Sequence, residues 1–332
     1  MKAIVQDHYG SEESLELAEV DMPRIRNDEV LIRVHAASVH VGDWILLTGV
    51  PRIMRLATGL RRPRNRVPGT DVAGTIEAVG KDVTKLVAGD EVFGWCTGAF
   101  AEYARASENQ FVRKPANLTF EKAAAIGVSA TTALQLLRDE GKVKPGQKVL
   151  INGASGGVGT YAVQIAKAFG ADVTAVCSTR NVEMMRSIGA DRVVDYTRED
   201  FTKGGPRYDF ILDNVGNHSL SETRRALTPN GRLLPNGGGH SGGALGNLIK
   251  AHLSAFFVRQ QARPAVKFQN SADLVELTSL VETGQVVPVL GATYPLREAA
   301  RAIGHVGDGH ARGTVVITVL QDGRAAAGPA GP

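Results

Sequence analysis

Apolar positions along the first 120 or so residues come in short β-branched or aromatic runs. "AIVQ", "EVLIRVHAA", "VAGTIEAVG", "DEVFGW" and "AFAEYARA" are each cut off by Gly, Asp or Pro, and this pattern predicts strands. From residue 120 the texture changes. "FEKAAAIGVSATTALQLL" is rich in Ala and Leu with helical period, and strands and helices then alternate. The strands are "KVLINGA", "DVTAVCS", "RVVDY", "YDFILDNVG" and "GRLLPNGGG". The helices are Val158–Phe169, "NVEMMRSIGA" and "SLSETRRAL". Such alternation predicts an α/β chain whose second part is a parallel sheet covered on both faces. The helix from Val158 supports this, since Val158, Ala162, Ile165, Ala166 and Phe169 share a face and Gly170 closes it. After residue 265 a helical stretch leads to "GTVVITV", a strand expected to return to the β-rich first part. The segment 245–261 has helical periodicity, suited to roofing a site or to a dimer contact, and the last ten residues read as a tail without fixed structure.

With 332 residues the chain is long enough for two domains, and 43% hydrophobic and 22% charged residues are ordinary for a globular protein. No apolar run approaches the ~20 residues needed to cross a bilayer. The first residues, MKAIVQDHYG, read against a secretory signal, and the expected location is cytoplasmic. Cys96 and Cys177 lie far apart in apolar surroundings and read as buried thiols. Of the net charge of +4, the notable part is residues 51–66, with six arginines and no acid. That stretch reads as a solvated loop or as a basic rim that attracts an anionic cofactor or substrate. It lacks interleaved Phe or Tyr for base stacking, so nucleic acid is not the expected partner.

The most informative segment is "KVLINGASGGVGTYAVQIAKAFG". Its turn, Gly153-Ala154-Ser155-Gly156-Gly157-Val158-Gly159, lies between a strand and a helix. Ala154, Gly156 and Gly159 take the three positions of a G-x-G-x-x-G fingerprint, with alanine first. Missing side chains let the backbone approach a pyrophosphate, and the helix start points free N–H groups at it. The same letters fit G-x-S-x-G, a hydrolase nucleophile elbow at Ser155 with Asp213 and His240 following, but that reading leaves Gly159 unexplained. About 20 residues beyond Gly159 a ribose-binding acid is expected, and the chain offers Ser178, Thr179 and Arg180 instead. Two hydroxyls and a guanidinium suit a 2′-phosphate, so the expected cofactor is NADPH.

These motifs, with "ASVHVGDW", "PGTDVAGTIEAVG", "GAFAEYA" and "DNVG" in the same order, resemble the medium-chain dehydrogenase/reductase superfamily, in its zinc-independent, quinone oxidoreductase-like branch. The resemblance runs from Met1 to about Val319. It implies a GroES-like domain at 1–121 plus 266–332, a Rossmann NADPH-binding domain at 122–265, and a substrate cleft between them. Zinc-dependent members carry Cys, then Asp three residues on, and later Gly-His-Glu; this chain has His40, Asp43 and Gly69-Thr70-Asp71. One imidazole and one carboxylate do not complete a three-ligand zinc site, so no metal is expected.

The implied reaction is hydride transfer to a quinone or to the C=C of an α,β-unsaturated carbonyl. Relatives of this branch usually show Asn at the place of His40, and some show Tyr at the place of Ile45. His40 is therefore the candidate proton or hydrogen-bond donor, or else it only orders water and backbone. Asp43 is expected to orient the turn, and Trp44 to line the cleft or to pack. Further cofactor contacts implied by position are Thr131, Thr132, Tyr196, Asn214, Val215, Gly216, Gly237 and Gly238. Homodimers are common in the branch. Other readings are a non-catalytic NADPH-binding regulator touching RNA through 51–66, a zinc-free carbonyl reductase, and the serine hydrolase.

Overall fold

The computed structural model describes residues 1–236, 261–262, 269–309 and 311–319. In chain order it begins with β1 (Lys2–Gln6), β2 (Leu15–Glu19), β3 (Glu29–Val39) and α1 (Val41–Thr48). A short α2 (Arg55–Thr58), then β4 (Asp71–Val79), β5 (Glu91–Trp95), β6 (Tyr103–Ser107) and β7 (Phe111–Arg113) follow. The helical stretch after residue 120 is broken into α3 (Phe120–Ala124) and α4 (Gly127–Gln135), with a π-helical turn at Leu136–Gly141. The alternating part is β8 (Lys148–Asn152), α5 (Gly157–Ala168), β9 (Asp172–Cys177), α6 (Val182–Ser187), β10 (Arg192–Asp195), β11 (Tyr208–Asp213), α7 (Leu220–Arg225), β12 (Leu227–Pro235) and β13 (Gln261–Ala262). The chain closes with α8 (Ser271–Glu282), β14 (Leu290–Pro295), α9 (Ala299–Gly307) and β15 (Thr314–Thr318).

The alternating part forms one six-stranded parallel sheet in the order β10-β9-β8-β11-β12-β13. Its central strands are apolar on both faces, because side chains alternate with period two. On β8, Val149 and Ile151 enter one core while Leu150 enters another; on β11, Phe210 and Leu212 oppose Ile211 in the same way. α5 begins one residue earlier than its apolar face predicts and ends at Ala168, with Gly170 in the left-handed region behind it.

Seven of the remaining strands form a second sheet, β14-β15-β3-β4-β5-β7 with β6 on β3, and β1 and β2 pair antiparallel with each other. β15 pairs antiparallel with β3, so the C-terminal strand does return to the β-rich part. One core fills this body, including Ile32, Val34, Phe100, Ile303 and Ile317. A larger core is continuous from Ala36, Ala73 and Phe93 through α3 and α4 into β8 and α5, so the two bodies share packed surface along α4. β2, β7 and β14 became visible only here, and the helical stretch expected after residue 265 is two helices, α8 and α9, with β14 between them. Of the segment 245–261 only Gln261 is described, as part of a strand; 323–332 lies outside the described residues.

Candidate active site

Two places gather the candidate residues. The first is the turn from β8 into α5. Gly153 sits in the left-handed region at φ +72, and a Cβ there would lie 2.7 Å from Val215 Cγ2. Ala154 is fully buried and its N–H donates to Val176 O at 3.1 Å, so it shapes the turn and has no donor left for a phosphate. Gly159 packs against the turn itself: a Cβ would meet Gly153 O at 2.2 Å. The helix ladder starts with Thr160 N to Gly156 O at 3.0 Å. The N–H groups of Gly157, Val158 and Gly159 therefore have no partner in that ladder. Gly313 N donates to Ser155 O at 2.8 Å, clamping the turn to the residue that precedes β15.

The end of β11 is wired to this turn. Asp213 Oδ1 accepts from Asn152 Nδ2, Val215 N and Gly216 N at 2.8, 3.1 and 2.9 Å. Asn214 N donates to Asn152 O at 3.1 Å, and Asn236 Nδ2 to Asn214 Oδ1 at 2.8 Å. Asp213 thus shapes two loops, which is not the work of a hydrolase triad acid. His240 and the predicted Gly237 and Gly238 lie outside the described residues.

At the tip of β9, Ser178, Thr179, Arg180, Tyr196 and Thr197 line a pocket of about 480 Å³. Tyr196 is 56% exposed, so its ring belongs to this rim and not to the core. The sequence spacing missed one member. Asp195, paired with Cys177 across the β10–β9 ladder, accepts from Thr179 Oγ1 at 2.6 Å and from Thr197 N and Oγ1 at 3.0 and 2.8 Å. The Thr179 hydroxyl above all, with Thr197, holds its carboxyl below the usual carboxylate range. An acid thus stands beside the end of the second strand but comes from the third, a register that no count along the chain reveals.

The second place is the N-terminal end of α1. His40 caps that helix: its N–H donates to Asp43 Oδ2 at 2.9 Å, and Asp43 N donates to His40 O at 3.0 Å. His40 Nε2 lies 2.7 Å from Thr70 Oγ1 and 3.6 Å from Asp43 Oδ2, with 13% of the ring side chain exposed. Asp43 is buried, which pushes its carboxyl up despite the neighbouring imidazole, and its Oδ1 has no hydrogen-bond partner. Asp71 is fully buried; Oδ2 accepts from Ser38 Oγ and Val128 N at 2.9 and 2.8 Å, and Oδ1 from Gln269 Nε2 at 3.2 Å. Burial pushes its carboxyl up to about 6, against the pull of His40 and its hydrogen bonds. Asp71 thereby caps α4 from another body of the protein, and a Cβ on Gly127 would meet its carboxylate within 2.1 Å.

Thr131 is buried and its hydroxyl bonds back to Gly127 O at 2.9 Å, so α4 uses it internally; Thr132, beside it, is half-buried. Ser129, which the sequence did not single out, is the α4 side chain against the glycine turn: a Cβ on Gly157 would meet its Oγ at 3.0 Å. The half-buried Trp44 ring is seated against Gly307 of α9, which gives it a packing role.

Among the described residues, no group of three His, Cys, Asp or Glu side chains is gathered as a metal site requires. The oxygens of Asp71 are directed to Ser38, Val128 and Gln269, which makes the His40–Asp71 pair a poor donor set for zinc.

Two family models match the chain: an alcohol dehydrogenase GroES-like domain over residues 26–116 and a zinc-binding dehydrogenase over 188–317. NAD(P)H oxidoreductase RTN4IP1, mitochondrial, of Mus musculus is 34% identical, the match covering 96% of this chain and 89% of that one. Chloroplast envelope quinone oxidoreductase homolog of Arabidopsis thaliana is 32% identical over 96% of this chain and 98% of that one. The structure of the quinone oxidoreductase from Coxiella burnetii superposes with a TM-score of 0.83 at 29% identity, covering 96% and 99% of the two chains. With two domain models in the expected order and full-length relatives of this kind, the chain belongs to the quinone oxidoreductase-like family of medium-chain dehydrogenases/reductases.

Proposed function

We propose that the protein is an NADPH-dependent, zinc-independent reductase of quinones or of the C=C of α,β-unsaturated carbonyls, acting in the cytoplasm. The observation that carries this reading is the pairing of the β8–α5 glycine turn with the polar pocket at Ser178, Thr179, Arg180 and Tyr196. The two lie at the carboxyl ends of adjacent parallel strands, where a dinucleotide is expected. The turn fits a pyrophosphate because Gly156 leaves it open: a Cβ there would meet only Gly153 O, at 3.7 Å. The Arg180 guanidinium with the Ser178 and Thr179 hydroxyls supports a 2′-phosphate, against the ionised Asp195 carboxylate that Thr179 and Thr197 hydrogen-bond. The division into 1–121 with 266–332 and 122–265 is part of the same reading.

A bound nicotinamide supplies a hydride from its C4 position. His40 holds a proton at Nε2 against Thr70 Oγ1 and delivers it to the oxygen that gains charge as the acceptor is reduced. Asp43 Oδ2 lies 3.6 Å from the same nitrogen, and the proton is replaced from water at the ring's exposed edge. Asp43 also fixes the ring's height by bonding the His40 N–H. Quinones and enones delocalise the arriving charge and need a donor, not a Lewis acid.

The test is NADPH consumption by the purified protein with a panel of quinones, alkenals and simple ketones, with and without EDTA and with NADH in parallel. Turnover of quinones or alkenals that is indifferent to EDTA and weak with NADH is the expected result. Tight NADPH binding with no turnover of any acceptor would instead favour a regulatory protein.

A further inference from the structure

Residues 50–64, which the proposed chemistry does not use, form a tied-down arm that displays apolar side chains to water. Ile53, Leu56 and Leu60 are 60%, 66% and 69% exposed, and Val50 and Met54 beside them are also exposed. Apolar side chains on a mobile loop need no explanation, but this arm is fixed from several sides. Tyr9 Oη lies 2.8 Å from Thr58 Oγ1 and donates to Gly59 O at 2.7 Å. The Arg55 guanidinium donates to Gly49 O and Thr48 O at 3.1 and 3.2 Å and lies over the Tyr9 ring. Arg66 is bidentate on Asp7. The fold thus keeps Ile53, Leu56 and Leu60 exposed on one fixed stretch, 53–60, and exposed apolar side chains concentrated in this way mark an interaction site.

Around them stand Arg52, Arg61, Arg62 and Arg64, all exposed, in a stretch that contains no acid. Aliphatic side chains ringed by arginines match a surface that is apolar below and anionic above. We infer that this arm docks the protein on anionic lipid bilayers, with Ile53, Leu56 and Leu60 entering the acyl boundary and the four arginines meeting the headgroups. A nucleic acid would satisfy the arginines and leave the aliphatic set wet, and no aromatic side chain stands in 50–64 to stack a base. The arm leaves the C-terminal end of α1, whose other end carries His40. An eight-residue helix, about 12 Å long, separates them. Docking is independent of the proposed reaction; if both hold, lipophilic acceptors are met at the surface where they partition.

The experiment is co-sedimentation of the full chain with vesicles of phosphatidylcholine alone or with 30 mol% phosphatidylglycerol, at low and at high salt. Binding is expected to the anionic vesicles only and to weaken with salt. Arg61→Glu with Arg62→Glu should lower the partition coefficient at least twenty-fold, taking about fivefold per arginine near a charged surface. Leu56→Ser with Leu60→Ser should lower it about tenfold or more at both salt concentrations. Both double variants should keep the wild-type melting temperature and the rate with a water-soluble acceptor, which separates failure of docking from failure of the fold or of the proposed reaction. Absence of binding to anionic vesicles would overturn the inference. So would binding that neither double variant changes, or stronger binding to an oligonucleotide that the leucine variant leaves intact.

Discussion

Asp195 Oδ2 accepts the hydroxyl proton of Thr179 at 2.6 Å, joining the ends of β10 and β9 beneath the pocket that Arg180 and Tyr196 border. A carboxylate near a ribose ordinarily favours NADH over NADPH. In the proposed reading the Arg180 charge and the threonine hydroxyls act against that tendency. Thr179→Ala frees one carboxylate oxygen and should lower the ratio of kcat/KM for NADPH over NADH. Asp195→Asn should raise it. Arg180→Ala should lower it by about ten- to a hundred-fold, the value of a hydrogen bond to a charged group. Steady-state kinetics with both cofactors measure all three, and a ratio unchanged in every variant would remove the 2′-phosphate assignment.

His40 and Thr70 are expected to act as a pair. Replacing His40 by Ala should cut kcat by about 10²–10⁴-fold at neutral pH while leaving NADPH affinity within a few-fold. Thr70→Val keeps shape and removes the hydroxyl at 2.7 Å; it should cost less, and shift the pH profile of kcat. If His40→Ala keeps full activity, the imidazole only orders its surroundings.

Asp71 makes stability depend on pH. Its carboxyl, raised to about 6, binds a proton more tightly in the folded protein than in the unfolded chain. The contribution of this group is fully present below about pH 4 and is lost as pH rises through about 6. The difference from the ordinary value of 3.8 corresponds to a few kcal/mol at most. Asp71→Asn should flatten the pH dependence of the unfolding free energy between pH 4 and 7. Denaturant melts across that range decide it; equal slopes for the two proteins would refute the assignment.

Gly159→Ala places a methyl group 2.2 Å from Gly153 O, against backbone that cannot move without lifting α5 off β8. A loss of about 1–3 kcal/mol is expected, together with weaker nucleotide binding. Gly156→Ala, whose Cβ would meet nothing closer than 3.7 Å, should fold normally. It should weaken nucleotide binding alone, which thermal melts and fluorescence titration separate.

The sequence by itself determined the doubly wound sheet, since strands with consecutive apolar residues, alternating with helices, are buried on both faces. It also determined the glycine turn, because Gly153 at positive φ and Gly159 against backbone are positions where side chains do not fit. His40 and Asp43 were singled out through the resemblance, and the contact between them is local, the two being three residues apart across one helix start. Tertiary structure alone decided the rest. Asp195 reaches Thr179 through strand order, Asp71 reaches Val128 across two bodies, and Ser129 meets the glycine turn because α4 packs beside it. That Trp44 packs on α9, and that the Thr131 hydroxyl bonds back within α4, is likewise decided by the folded chain. Contacts between residues far apart in the chain follow from register and packing, which a one-dimensional pattern does not encode.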